Sequence, residues 1–209
     1  MQEKGNELIT IAQRIRAMSQ TALTYSTNEY EIERCHEMIT LSDRMVSIVS
    51  GMDENAIHAD YHPIKEYVTP KVDVRAVIFN EKDEILLVKE KADGRWALPG
   101  GWADVGFTPS EVIIKETKEE TGFDVRVVQL LAVLDKRCYK HPASPFYIYK
   151  LCFLCEITGG NDEITFDILD KGFFALNQLP PLSVDRILPE QITLLDRLRR
   201  NTESTIYCD

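Results

Sequence analysis

The chain has no surplus of positive charge: 24 lysines and arginines face 34 aspartates and glutamates, a net charge of -10. This excludes a broad basic footprint for a long nucleic acid or an anionic membrane, so an anionic substrate has to be met by local cations. No run approaches the ~20 apolar residues of a membrane span. The opening MQEKGNELIT lacks the apolar core of a secretory signal. The five cysteines, Cys35, Cys138, Cys152, Cys155 and Cys208, are odd in number and irregularly spaced. A complete disulfide framework is therefore not expected, and a reducing, cytoplasmic location is. Cys152 and Cys155 form a C-x-x-C, but inside FYIYKLCFLCEI, which reads as a strand. Residues three apart on a strand point to opposite faces, which suits neither zinc nor redox chemistry. His36, His58 and His62 show no ligand spacing and are assigned to the surface or to a connection. Neither internal repeats nor low-complexity tracts occur.

What is present is an ordinary globular composition, 44% hydrophobic and 28% charged over 209 residues. That is enough for one core plus a small helical appendage. Leu8, Ile11, Ile15, Met18 and Ala22 recur at helical spacing from Glu7 to about Tyr25. A second helix is expected after Asn28 as N-cap, with Glu31 three residues on, running to Gly51. Such a hairpin is too small to bury both apolar faces alone, so it must pack on the rest of the chain or on a second copy. The polar, proline-containing stretch that follows places a boundary near Tyr67. A helical N-terminal domain is expected over 1–66 and a catalytic domain over 67–209.

Beyond Pro70 the period changes to two. In KVDVRAVIF, Val72, Val74 and Ala76 share one face and Asp73 and Arg75 the other, the pattern of a strand with one buried side. EILLVKE follows the turn NEKD, so the two are expected to be neighbouring strands. Further strands are expected at about Arg126 to Asp135, Phe146 to Ile157 and in GFFAL, with a closing helix from Pro189 to Arg200. The fold class is α/β or α+β, a mixed sheet flanked by helices.

The helix from Pro109 to Thr121, with Thr108 as N-cap and Gly122 as stop, carries Glu116, Glu119 and Glu120 on one face. Like charges so placed require either solvent and neighbouring lysines, here Lys115 and Lys118, or a cation. Together with the preceding ALPGGW the stretch resembles the Nudix box: Gly, five residues, Glu, seven residues, Arg-Glu, an aliphatic, any residue, Glu-Glu, any residue, Gly and an apolar residue. Gly101, Glu116, Glu119, Glu120, Gly122 and Phe123 fall in register. Phe107 stands where the first Glu belongs, Lys115 where Arg belongs and Thr117 where an aliphatic belongs. The N-terminal helices resemble the small domain of a bacterial Nudix subgroup that includes ADP-ribose and CDP-choline pyrophosphatases.

The resemblance implies a Mg²⁺- or Mn²⁺-dependent pyrophosphohydrolase that acts on a nucleoside diphosphate derivative such as CDP-choline or ADP-ribose and forms a homodimer. Glu116 and Glu120 are expected as principal metal ligands, Glu119 as ligand or water-orienting group, and the Gly101 carbonyl as a further oxygen. Such oxygen donors suit a hard divalent ion, which lowers the pKa of an attacking water. Asp162, Glu163, Asp167 and Asp170 are candidates for a base outside the box. Arg75 is the expected phosphate anchor, its alternative being a pair with Asp73. Trp102 would stack on a base or pack, and Lys136, Arg137 and His141 would reach a nucleotide by position alone. Two rival readings remain: a non-catalytic ligand sensor on the same fold, and hydrolysis of RNA ends.

Overall fold

The computed structural model describes residues 2–60, 67–104, 106–161, 168–201 and 205–209. The chain divides into two compact units, Met1–Pro70 with Ala143–Tyr147, and Lys71–Pro142 with Ile148–Asp209. The second unit begins at Lys71, and a short segment from within the second half belongs to the first unit.

The first unit contains α1 (Gln2–Tyr25), α2 (Glu29–Ser50) and α3 (Glu54–Asp60). Asn28 caps α2 by accepting from the Tyr30 and Glu31 amides, and Gly51, at φ 74°, ends it with its N–H on the Ser47 carbonyl. Ile9, Ala12, Val46 and Ile57 form the core, with Ala143 packed against them. Gln13 Nε2 donates to the Ser144 carbonyl at 2.8 Å, tying in the returning segment. Asp43, buried on α2, pairs with Arg16 of α1 and has His58 Nδ1 of α3 2.9 Å from its Oδ2, so one carboxylate links all three helices. Apolar side chains remain uncovered on this unit: Met18 is 65% and Ile48 75% exposed.

The second unit holds two sheets. β1 (Lys71–Val77), β5 (Ile148–Gly160), β4 (Phe123–Asp135) and β7 (Tyr207–Cys208) lie side by side in that order; β3 (Trp96–Ala97), β2 (Ile85–Glu90) and β6 (Ile168–Phe174) form the other sheet. β1 runs parallel to β5, with Asp73 opposite Lys150 and Arg75 opposite Cys152. β1 and β2, expected as neighbouring strands, are not paired in one sheet: their chain segments are backbone-bonded near the turn, through the Phe79–Ile85 bridge and the Leu86 N–H on the Ile78 carbonyl, and then enter different sheets. The edge of β1 that β2 would have used is taken by the segment around Gly100.

α4 (Pro109–Thr121) contributes Val112 and Ile113 to a cluster with Val74, Ala76, Ile78 and Phe153. α5 (Pro189–Arg200) contributes Ile192 and Leu195 to a second, with Val77, Leu87, Ala132 and Leu134. Cys152 belongs to one cluster and Cys155 to the other, as the strand period requires. All five cysteines are free thiols. β1 departs from expectation in burying its polar face too: Asp73 and Arg75 are both buried. They are tolerated there because they satisfy one another and Lys150, whose Nζ is 2.5 Å from Asp73 Oδ2.

Candidate functional site

The site begins at two adjacent glycines. Val74 N–H donates to the Gly101 carbonyl and Ala76 N–H to the Pro99 carbonyl, each at 2.8 Å, so the Gly turn is laced to the free edge of β1. A Cβ on Gly100, whose φ is 133°, would lie 2.1 Å from the Val74 carbonyl oxygen. No side chain fits. A Cβ on Gly101 would instead meet Glu116 Oε2 at 2.8 Å, so this residue is small in order to let a carboxylate approach.

α4 delivers those carboxylates. Its start is fixed by a reciprocal cap, Thr108 Oγ1 accepting from the Glu111 amide and Glu111 Oε2 accepting from Thr108 N–H at 2.7 Å. Its inner stripe of Val112, Ile113, Thr117 and Thr121 is buried, which sets the rotation of the helix. Thr117 is accommodated at its apolar position because its hydroxyl donates to the Ile113 carbonyl at 2.7 Å. Glu116 and Glu120 then face the Gly turn. Gly100 N–H donates to Glu120 Oε2 at 2.8 Å, which fixes that carboxylate to the turn. Glu116 is mostly covered, whereas Glu119 is 52% exposed and held by Lys115 at 3.3 Å.

Desolvation pushes the Glu120 carboxyl up to about 8; the Arg75 guanidinium and the Gly100 N–H oppose this, and Glu90 and Glu116 reinforce it. Among the described residues, no three carboxylate, imidazole or thiol groups converge closely enough in this side-chain arrangement to enclose an ion. The donor chemistry nevertheless fits a hard cation: carboxylate oxygens on one helix flank, beside a carbonyl, Gly101, that has spent one lone pair on Val74.

Arg75 takes the alternative position read from the sequence. Its Nε donates to Asp73 at 3.0 Å and its Nη1 to the Leu98 carbonyl at 2.9 Å, with Glu90 Oε1 4.0 Å away. It is buried and braces the Gly turn from beneath. Burial alone would raise the Asp73 carboxyl, but Arg75 and Lys150 outweigh it and hold that carboxyl below its ordinary range. Lys136 is also buried, with Nζ 2.6 Å from Asp185. His141 Nδ1 donates to the Val184 carbonyl at 2.7 Å, and burial pushes the ring down to about 4 against that bond, with Lys136 and Lys150 adding to the effect. Arg137 pairs locally with Asp135 at 3.8 Å.

Trp102, next to the turn, is 47% exposed, with Lys71 Nζ 5.4 Å from its ring centroid. Asp170 is exposed on β6 opposite Lys89. Asp162, Glu163 and Asp167, and His62, lie outside the described residues.

Sequence reasoning did not single out Glu90, Asp104 or Arg186. Glu90 ends β2, where burial raises its carboxyl against the influence of Arg186 and Arg75. Arg186 Nε is 3.1 Å from it. A glutamate closing the apolar run ILLVK was the available signal for Glu90. Asp104 pairs with Lys115 at 3.4 Å, and no pattern in the sequence links those two.

A model of the NUDIX domain matches residues 69–197, and one described as a UDP-X-like, N-terminal oligomerisation domain matches residues 6–59. The chain is 42% identical over 197 residues, 94% of each chain, to YjhB of Bacillus subtilis (strain 168), provisionally named an ADP-ribose pyrophosphatase. A crystal structure of a UDP-X diphosphatase is 35% identical, with 98% of this chain and 99% of that one covered at a TM-score of 0.64. The crystal structure of an ADP-ribose pyrophosphatase from Streptococcus suis 89-1591 is 40% identical over 68% of this chain and all of that one, at a TM-score of 0.61.

Proposed function

This chain belongs to the Nudix family, and on that premise we propose that it is a Mg²⁺- or Mn²⁺-dependent pyrophosphohydrolase of nucleoside diphosphates linked to another group. The observation that carries the reading is the meeting of Glu116 and Glu120 with the Gly100–Gly101 turn, one by close approach and the other by a hydrogen bond. Glu116, Glu120 and the Gly101 carbonyl would hold the ion, with Glu119 as a further ligand or the group that orients water. A divalent ion held there neutralises diphosphate charge and lowers the pKa of an attacking water. Gly100 N–H fixes one oxygen of Glu120 and so aims the other. Arg75 keeps the turn and Glu120 in place; it acts on substrate through them. The water oxygen bonds to one phosphorus, the bridging P–O bond breaks, and the water proton passes to a base or to solvent. The products are a nucleoside monophosphate and a phosphorylated remainder.

Trp102, exposed beside the turn, offers a stacking face for a base. Lys136 would reach substrate only by giving up Asp185. The relatives named above concern ADP-ribose and UDP-X, so adenine and uridine nucleotides come before CDP-choline as substrates. Uncovered apolar residues such as Met18 and Ile48 on the helical unit suit a homodimer. Free thiols suit the cytoplasm. Among the described residues, no helix is long and apolar enough to cross a membrane.

The test is Mg²⁺-dependent release of nucleoside monophosphate from ADP-ribose, UDP-sugars and CDP-choline by wild type and Glu120→Gln. Turnover of one substrate with a loss of at least about 100-fold in the variant is expected. Ligand binding with no turnover in the wild type would replace the enzyme by the sensor. Sedimentation at one chain mass would remove the dimer.

A further inference from the structure

Lys115 Nζ lies 3.3 Å from Glu116 Oε1, 3.3 Å from Glu119 Oε2 and 3.4 Å from Asp104 Oδ2. Two of these three partners are carboxylates assigned to the ion; the third, on the loop after the Gly turn, is not. We propose that Lys115 is a resident counter-ion of the carboxylate cluster, which yields Glu116 and Glu119 to the incoming divalent cation and withdraws to Asp104. The inference rests on the reading of those glutamates as ion ligands.

Four features support it. Lys115 and Glu119 are four residues apart with the lysine N-terminal, the weaker orientation for a helical pair, and the lysine is 39% exposed. Such pairs contribute little, so exchange for a doubly charged ion is easy. Lys115 occupies Glu116 Oε1 while Oε2 faces Gly101, so a divalent ion on Oε2 would stand within a few ångströms of the ammonium and repel it. Lysine is a compact charge on a flexible stem, suited to swinging between partners. Finally, Asp104 is exposed and lies on a different segment, where the preceding Ala103 N–H is bonded to the Val72 carbonyl, so its position does not depend on the helix carboxylates turning to the ion. Phe107, at the neighbouring position where the family pattern has a carboxylate, offers none, which leaves Asp104 as the loop partner.

The opposite role, a lysine that pre-shapes the carboxylates for the ion, predicts effects of the opposite sign. The discriminating experiment is a Mn²⁺ titration of the full chain, with free Mn²⁺ followed by electron paramagnetic resonance. Lys115→Gln should bind about three- to tenfold more tightly than wild type, the scale of one or two exposed ion pairs. Lys115→Arg, which keeps the charge, should stay within about twofold of wild type. Asp104→Asn should bind about two- to fivefold more weakly, because Lys115 loses its alternative partner. That weakening should vanish in the Lys115→Gln background, where simple loss of a negative charge would leave it intact. Equal or weaker binding by Lys115→Gln, tightening by Lys115→Arg, or an Asp104 effect that survives in the double variant would each overturn the proposal. Absence of Mn²⁺ binding in the wild type would overturn the ion-ligand reading itself.

Discussion

Replacing either glycine of the turn by alanine adds the same methyl group, yet the two changes should fail in different ways. At Gly100 the new Cβ is directed at backbone: 2.1 Å from the Val74 carbonyl oxygen and 3.0 Å from its carbon. Backbone cannot rotate aside, so the turn must leave β1. The cost is about 1–3 kcal/mol for an alanine in that positive-φ conformation. Loss of the Val74 and Ala76 hydrogen bonds adds about 1 kcal/mol each. The sum, about 3–5 kcal/mol, is a large share of the stability of a domain this size. At Gly101 the new Cβ meets only the tip of Glu116, at 2.8 Å, which a change of rotamer relieves. Its stability should stay within about 1 kcal/mol of wild type, while Glu116 is turned from its place and ion affinity falls. Urea denaturation, with hydrogen exchange at the Val74 and Ala76 amides, measures the first effect; Mn²⁺ titration measures the second. A Gly100→Ala protein with the wild-type midpoint, or a Gly101→Ala protein that is the less stable of the two, would refute this account of the turn.

Titration should show in stability at both ends of the pH scale. His141 is held near 4, below the 6.5 of an unfolded chain, so its contribution is complete above pH 6.5 and is lost as pH falls toward 4. The loss is about 3 kcal/mol in full and about 2 kcal/mol by pH 5, and the urea midpoint of His141→Gln should lack that component. Glu120 has the opposite sign: with its carboxyl raised to about 8, stability present at low pH is lost as pH rises toward 8 in metal-free protein. Between pH 6.5 and 9 that is about 2 kcal/mol, which Glu120→Gln should not show; a midpoint that is flat in the wild type would exclude it. Thr117→Val should change the melting temperature little, because the hydroxyl serves only the Ile113 carbonyl; a loss of more than about 2 kcal/mol would mean that this bond shapes the helix.

Local chemistry made most of the fold legible. Caps at Asn28 and Thr108 and stops at Gly51 and Gly122 mark the ends of α2 and α4 in sequence and structure alike. The carboxylate flank of α4 was legible for the same reason, since helical period alone puts Glu116, Glu119 and Glu120 together. Period could not show what a strand meets across space. Alternation in KVDVRAVIF marked Asp73 and Arg75 as a solvent face, but Lys150, 77 residues beyond Asp73, converts that face into a buried ion network. Nor could it show that β1 and β2, joined by a short turn, would separate because the Gly turn claims β1's free edge. Arg75 was found as a cation, but its partners Leu98 and Glu90 belong to other elements and no spacing rule connects them.

The segment Ala143–Tyr147 makes the architecture less modular than a linear domain order suggests. The polypeptide passes between the two units three times, after Pro70, after Pro142 and after Tyr147. A gene for the helical unit alone would lack Ala143, which packs on its core, and the Ser144 carbonyl that Gln13 uses. A gene for the hydrolase unit alone would carry five residues with no counterpart to receive them. Recombination that exchanges one unit between relatives therefore has to exchange an internal loop with it, so the pair should be inherited as one piece.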